Sequence, residues 1–78
     1  MRVRSLKLIV TFHTTTAAMA MELACDQAGL PGRLIPVPRE ITAGCGMAWC
    51  APTEARADLE AFVQREAITT AGWYELLL

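Results

Sequence analysis

One cysteine lies between two glycines, a few residues after an arginine, in Pro36-Val37-Pro38-Arg39-Glu40-Ile41-Thr42-Ala43-Gly44-Cys45-Gly46. A reactive thiol works as its anion, which calls for access, a turn that presents the sulfur, and positive charge or N–H dipoles close by. Gly44 and Gly46 let the backbone take positive φ and leave the sulfur without bulky neighbours. They can also turn successive N–H groups toward an anion. Arg39 offers a permanent guanidinium charge. His13, the one histidine of the chain, offers either a general base toward the thiol or a cationic neighbour. Plainer readings stand beside each of these. The glycines can serve a hairpin turn alone, and Arg39 and Glu40 can pair on the surface, where a bridge is worth little. His13 can pack at a strand end and bond the backbone.

The other two cysteines carry less. Cys25 falls beside the apolar stripe of a helix and reads as a small buried hydrophobe. Cys50 reads as packing within a strand, with a resolving thiol as its functional alternative. Cys45 and Cys50 are a C-x4-C pair whose side chains point to opposite faces if the segment is extended, which argues against a disulfide between them. Three cysteines at irregular spacing make no disulfide framework. With one histidine, a zinc site lacks ligands, and no metal is expected. Soft-metal transport on such a scaffold wants two cysteines close in one loop, and only Cys45 is placed there.

The elements that must position these groups follow from periodicity. Leu6, Leu8, Val10 and Phe12 alternate with Lys7, Ile9, Thr11 and His13, the period of two of a strand with one strongly apolar face. Thr14, Thr15 and Thr16 then offer N-cap hydroxyls. In the helix that follows, Ala17, Ala20, Met21, Ala24 and Ala28 form one stripe, and Gly29 with Pro31 ends it. Arg33–Pro38 is extended, but its prolines deny ladder donors and place it at a sheet edge. Met47–Ala51 is a third strand. Pro52-Thr53-Glu54 opens a second helix with Leu59, Phe62 and Val63 as its buried face and Arg56 and Glu60 at ion-pair spacing. Trp73–Leu78 is the last strand.

The order β-α-β-β-α-β predicts an α+β, ferredoxin-like fold over residues 1–78: a four-stranded antiparallel sheet with both helices on one face. In that topology the end of the first strand, the start of the first helix, the turn between strands two and three, and the start of the fourth strand share one rim. The cysteine loop is then expected near His13 and the three threonines.

Size and charge narrow the function. Seventy-eight residues, with thirteen alanines among the apolar ones, leave room for one small core and none for a buried multi-residue active site. A net charge of −1 argues against a phosphate-backbone binder. Arg2, Arg4 and Lys7 read as a solvated strand edge. Trp49, Trp73 and Tyr74 lack the basic and aromatic signature of RNA-binding modules and read as core or dimer contact. The run Leu8-Ile9-Val10 is too short for a signal peptide, and no stretch approaches the roughly 20 apolar residues of a membrane span. The expectation is a soluble, cytoplasmic protein that engages neither nucleic acid nor membrane.

Thr11-Phe12-His13-Thr14-Thr15, Ala28-Gly29-Leu30-Pro31, Arg33 through Ile41 with its Pro-x-Pro-Arg-Glu-Ile run, and Cys45-Gly46 together resemble a small family of selenium or sulfur carrier protein-like chains. The similarity spans nearly the whole chain. It implies that Cys45 holds sulfur or selenium covalently, as a persulfide or selenosulfide, with Arg39, Gly44, Gly46 and His13 shaping its charge and no separate cofactor. It implies a relay rather than a turnover enzyme, taking the atom from a donor such as a cysteine desulfurase and passing it to an acceptor enzyme. Members of that family tend to carry serines ahead of the Cys-Gly pair; Ala43 and Gly44 here remove those hydroxyl donors. The alternative is a non-catalytic interaction module, with a homodimer through the open sheet face as one form of it.

Overall fold

A computed structural model describes residues 4–41 and 45–78. Four strands and two helices follow in the order β1 (Leu6–Thr11), α1 (Thr15–Ala28), β2 (Arg33–Pro36), β3 (Met47–Pro52), α2 (Arg56–Arg65) and β4 (Gly72–Leu77), with a 3-10 turn at Thr53–Ala55 leading into α2. The sheet order is β2-β3-β1-β4, and all three pairings are antiparallel. This is the ferredoxin-like arrangement expected from the element order, with proline-bearing β2 at an edge.

Alternation in β1 divides the sheet into two faces. Leu8, Val10 and Phe12 are fully buried against α1, α2 and Trp49 in the main core. Ile9, between them, faces the other way and is equally buried, in a smaller cluster with Ile41 and Ala48. That second cluster exists because the chain after β2 folds back. Ile41 donates its amide to the Pro38 carbonyl at 3.0 Å, and the turn so closed lays Ile41 and Val37 on the sheet face away from the helices.

Both helix ends are built from their own residues. Thr14 caps α1, its hydroxyl accepting from the Ala17 amide at 3.1 Å. At the far end Gly29 is left-handed, its amide donating to Asp26 and the Leu30 amide to Cys25, a Schellman closure that seats Leu30 on the core. α2 ends the same way, with Ile68 donating to Val63 and the left-handed position filled by Ala67 at φ 56°.

The stripe expected on α1 is corrected. Ala18, Met21 and Cys25 are its fully buried residues, Ala17 and Ala24 are half-buried, and Ala20 and Ala28 are exposed. A stripe of alanines has little apolar area with which to orient a helix, so the larger Met21 and Cys25 set the rotation. For α2 the expected face is observed: Leu59, Phe62 and Val63 are buried. Arg56 reaches Glu60 at 3.1 Å and ties α2 to β4 through Glu75 at 2.9 Å. Of the aromatics, Trp49 is core, Trp73 packs on its margin and Tyr74 is exposed. No helix among the described residues is long and apolar enough to cross a membrane.

Candidate functional site

The rim predicted from topology is assembled by backbone hydrogen bonds. The Cys45 amide donates to the Phe12 carbonyl at 3.2 Å, which sets the thiol beside the last buried residue before α1. The Ala71 amide donates to the Thr11 carbonyl at 2.7 Å, bringing in the approach to β4. The Val37 amide donates to the Gly46 carbonyl at 2.9 Å and closes the connection between β2 and β3. Gly46 itself sits at φ 86°. Cys45 itself lies in a turn, two residues before the first residue of β3, so strand pairing begins just after it.

Cys45 is half-buried, packed on the margin of the helix-side core, and its thiol donates to the Met47 carbonyl at 3.7 Å. A carbonyl can accept from a thiol but offers nothing to an anion, so the sulfur must turn away from Met47 when it acts as a nucleophile. The first turn of α1 lies on the same rim. Thr14 takes up the Ala17 amide, and the amides ahead of it carry the positive end of the helix dipole.

The other expected site residues are placed as follows. His13 is exposed and lines a cleft of about 410 Å³ with Thr14, Ala17, Ala20, Ala67 and Ile68; Cys45 is not among the residues lining it. Arg39 occupies the tip of the Pro38–Ile41 turn, exposed and without an ion pair to any described residue. That turn is anchored on the face away from the helices, whereas Cys45 packs on the helix side. The surface pair of Arg39 with Glu40 is not formed. Gly44, with Thr42 and Ala43, lies outside the described residues, as does Arg2.

All three cysteines are free thiols. Cys25 is fully buried in α1, and burial first, then the charge of Asp26, pushes its thiol up to about 11. It is the small buried hydrophobe expected of it and no nucleophile at neutral pH. Cys50 packs on the second cluster, so Cys45 and Cys50 attach to opposite sides of the sheet. Among the described residues no three His, Cys, Asp or Glu side chains gather to hold a metal ion.

Sequence reasoning missed what Ile41 does. The apolar residue closing the Pro-Arg-Glu-Ile run anchors the loop to Ile9, and its only sequence signal was an isoleucine in a segment otherwise rich in turn residues.

A profile of the family described as "Putative Se/S carrier protein-like" matches residues 7–75. No curated protein and no solved structure matches the chain. The chain belongs to that Se/S carrier protein-like family.

Proposed function

We propose that this member of the Se/S carrier protein-like family holds a transferable sulfur or selenium atom on Cys45 and relays it between a donor and an acceptor enzyme. The observation that carries the reading is the position of Cys45: the one thiol that is both outside the regular strands and helices and partly exposed, held by its own amide against Phe12 at the entrance to α1. Membership in the Se/S carrier protein-like family supports a carrier role, and Cys45 lies within the matched residues 7–75.

The chemistry needs little machinery. The Cys45 thiolate attacks the outer sulfur of a donor persulfide, the donor's inner sulfur leaves as a thiolate, and Cys45 is left as a persulfide. With selenium as the outer atom the product is the selenosulfide. An acceptor nucleophile then takes the outer atom and Cys45 departs as the thiolate. Both loaded and unloaded forms are anionic, and the start of α1 favours an anion by about 0.3–1 kcal/mol. A stabilisation that small suits a relay, because an atom held too firmly is not passed on. His13, Arg39 and Gly44 enter the proposal as groups that shape the charge around the loaded atom. A cysteine desulfurase fits as donor because its product is a protein-bound persulfide.

A second reading, an interaction module that pairs copies through the open sheet face, draws on the exposure of Tyr74 on that face. The turn carrying Ile41 already covers part of the same face, which leaves less surface for a partner. The test is intact-protein mass after incubation with a cysteine desulfurase and either cysteine or selenocysteine, for wild type beside Cys45→Ser. A reductant-labile gain of one chalcogen atom on wild type alone supports the carrier. Equal loading of both proteins sinks it.

A further inference from the structure

The sheet face away from the helices carries a second thiol in charged surroundings. Cys50 pairs directly with Arg33 across β2 and β3, and with Ile9 across β1 and β3. Lys7 precedes Ile9 by two residues and so projects on the same face, diagonal to Cys50. Directly opposed residues hold their Cβ atoms roughly 5 Å apart and diagonal ones roughly 7 Å. Lys7, Arg33 and Cys50 line one shallow cleft of about 300 Å³, completed by Gly32, Ala51 and Pro52. That lining holds two cations, a partly exposed thiol and no carboxylate. Neither Lys7 nor Arg33 forms an ion pair with a described residue.

We propose that Cys50, Arg33 and Lys7 form a thiol site separate from Cys45 that accepts a small disulfide bearing carboxylates and holds half of it as a mixed disulfide. The two cations flank Cys50, Arg33 from β2 and Lys7 from β1, so carboxylates of an incoming disulfide can meet a positive charge on either side. In the step itself the Cys50 thiolate attacks one sulfur of the incoming disulfide and a new S–S bond forms. The old S–S bond breaks, and the leaving half departs as a thiolate that takes up the proton Cys50 gave up. Cys50 is oxidised and the leaving half is reduced by the same electron pair. The site is independent of loading at Cys45, since the two thiols lie on opposite sides of the sheet.

The experiment uses full-length Cys45→Ser protein, which leaves Cys50 and the buried Cys25. It is treated in parallel with glutathione disulfide, which carries carboxylates, and with bis(2-hydroxyethyl) disulfide, which carries no charge, and the adducts are mapped by peptide mass. The expected result is a glutathione adduct at Cys50. Replacing Lys7 and Arg33 with glutamine slows that reaction about fivefold while leaving the uncharged reagent's rate in place. Lys7→Arg with Arg33→Lys restores it. Should the glutamine variant fail to fold, a salt series on the unsubstituted Cys50 site decides instead. Raising ionic strength to about 1 M must slow glutathione disulfide and spare the uncharged reagent. Absence of an adduct at Cys50, equal slowing of both reagents, or a glutathione rate indifferent to salt overturns the proposal.

Discussion

The Cys45 amide and the Phe12 carbonyl, 3.2 Å apart, join a loop thiol to a strand buried at the centre of the sheet. Phe12 is fully buried and cannot shift without disturbing the main core. The bond therefore gives the loop a rigid reference at the residue proposed to carry the transferred atom.

Gly46 holds the other side of that position. It sits at φ 86° with open space where a Cβ would go, so substitution costs backbone strain alone. The left-handed penalty of about 1–2 kcal/mol is partly offset by the freedom alanine removes from the unfolded chain. Gly46→Ala should destabilise by about 1 kcal/mol in a denaturant titration.

Gly32 should be far less tolerant. Its φ is 130°, and a Cβ there would come within 2.6 Å of Trp49 Cε2 and 2.8 Å of the Cys50 carbonyl. The indole N–H of Trp49, buried without a hydrogen-bond partner among the described residues, lies beneath the same glycine. Gly32→Ala is expected to cost about 3 kcal/mol, near the upper end of single substitutions. A cost no greater than that of Gly46→Ala would show that the indole can withdraw.

Ala67 offers the opposite sign. It takes the left-handed position that ends α2, at φ 56°, where glycine is the usual occupant. Ala67→Gly relieves that strain and loses some unfolded-state advantage, for a net gain of about 0.5–1 kcal/mol. Thermal or denaturant unfolding of the variant reads it directly.

Cys25 makes stability depend on alkaline pH. Its thiol is raised from an ordinary 9.0 to about 11 by burial and then by Asp26. Between those values the unfolded chain has released a proton that the folded chain retains, so stability falls as pH rises. Below about 9 the contribution is complete. Denaturant titrations across this range should show the decline in wild type and a smaller one in Cys25→Ala. Alkylation at neutral pH should reach Cys45 and Cys50 while leaving Cys25 untouched until unfolding.

The order of elements was legible because each signal was local. The alternation around Leu8, Val10 and Phe12, the threonine cap, and Gly29 before Pro31 all act within a few residues. The same topology brought Cys45 to the end of β1 without any knowledge of side chains. The rotation of α1 was not legible, because a helix with alanines on several sides has no dominant stripe and its facing is decided by what it meets. Nor was the anchoring of the turn that carries Arg39: Ile41, between Arg39 and Cys45 in sequence, docks on the sheet face away from the helices. The neighbours of Cys50 depend on strand register, which sets Arg33 opposite it across sixteen intervening positions in the chain. No short window contains that information.

The most direct test is peptide-level mass spectrometry of wild-type protein loaded by a cysteine desulfurase and cysteine, with all three cysteines intact. The account predicts a persulfide on the peptide carrying Cys45, removed by reductant and lost on incubation with an acceptor thiol. Persulfide found on Cys50 or Cys25 with Cys45 unmodified would contradict it.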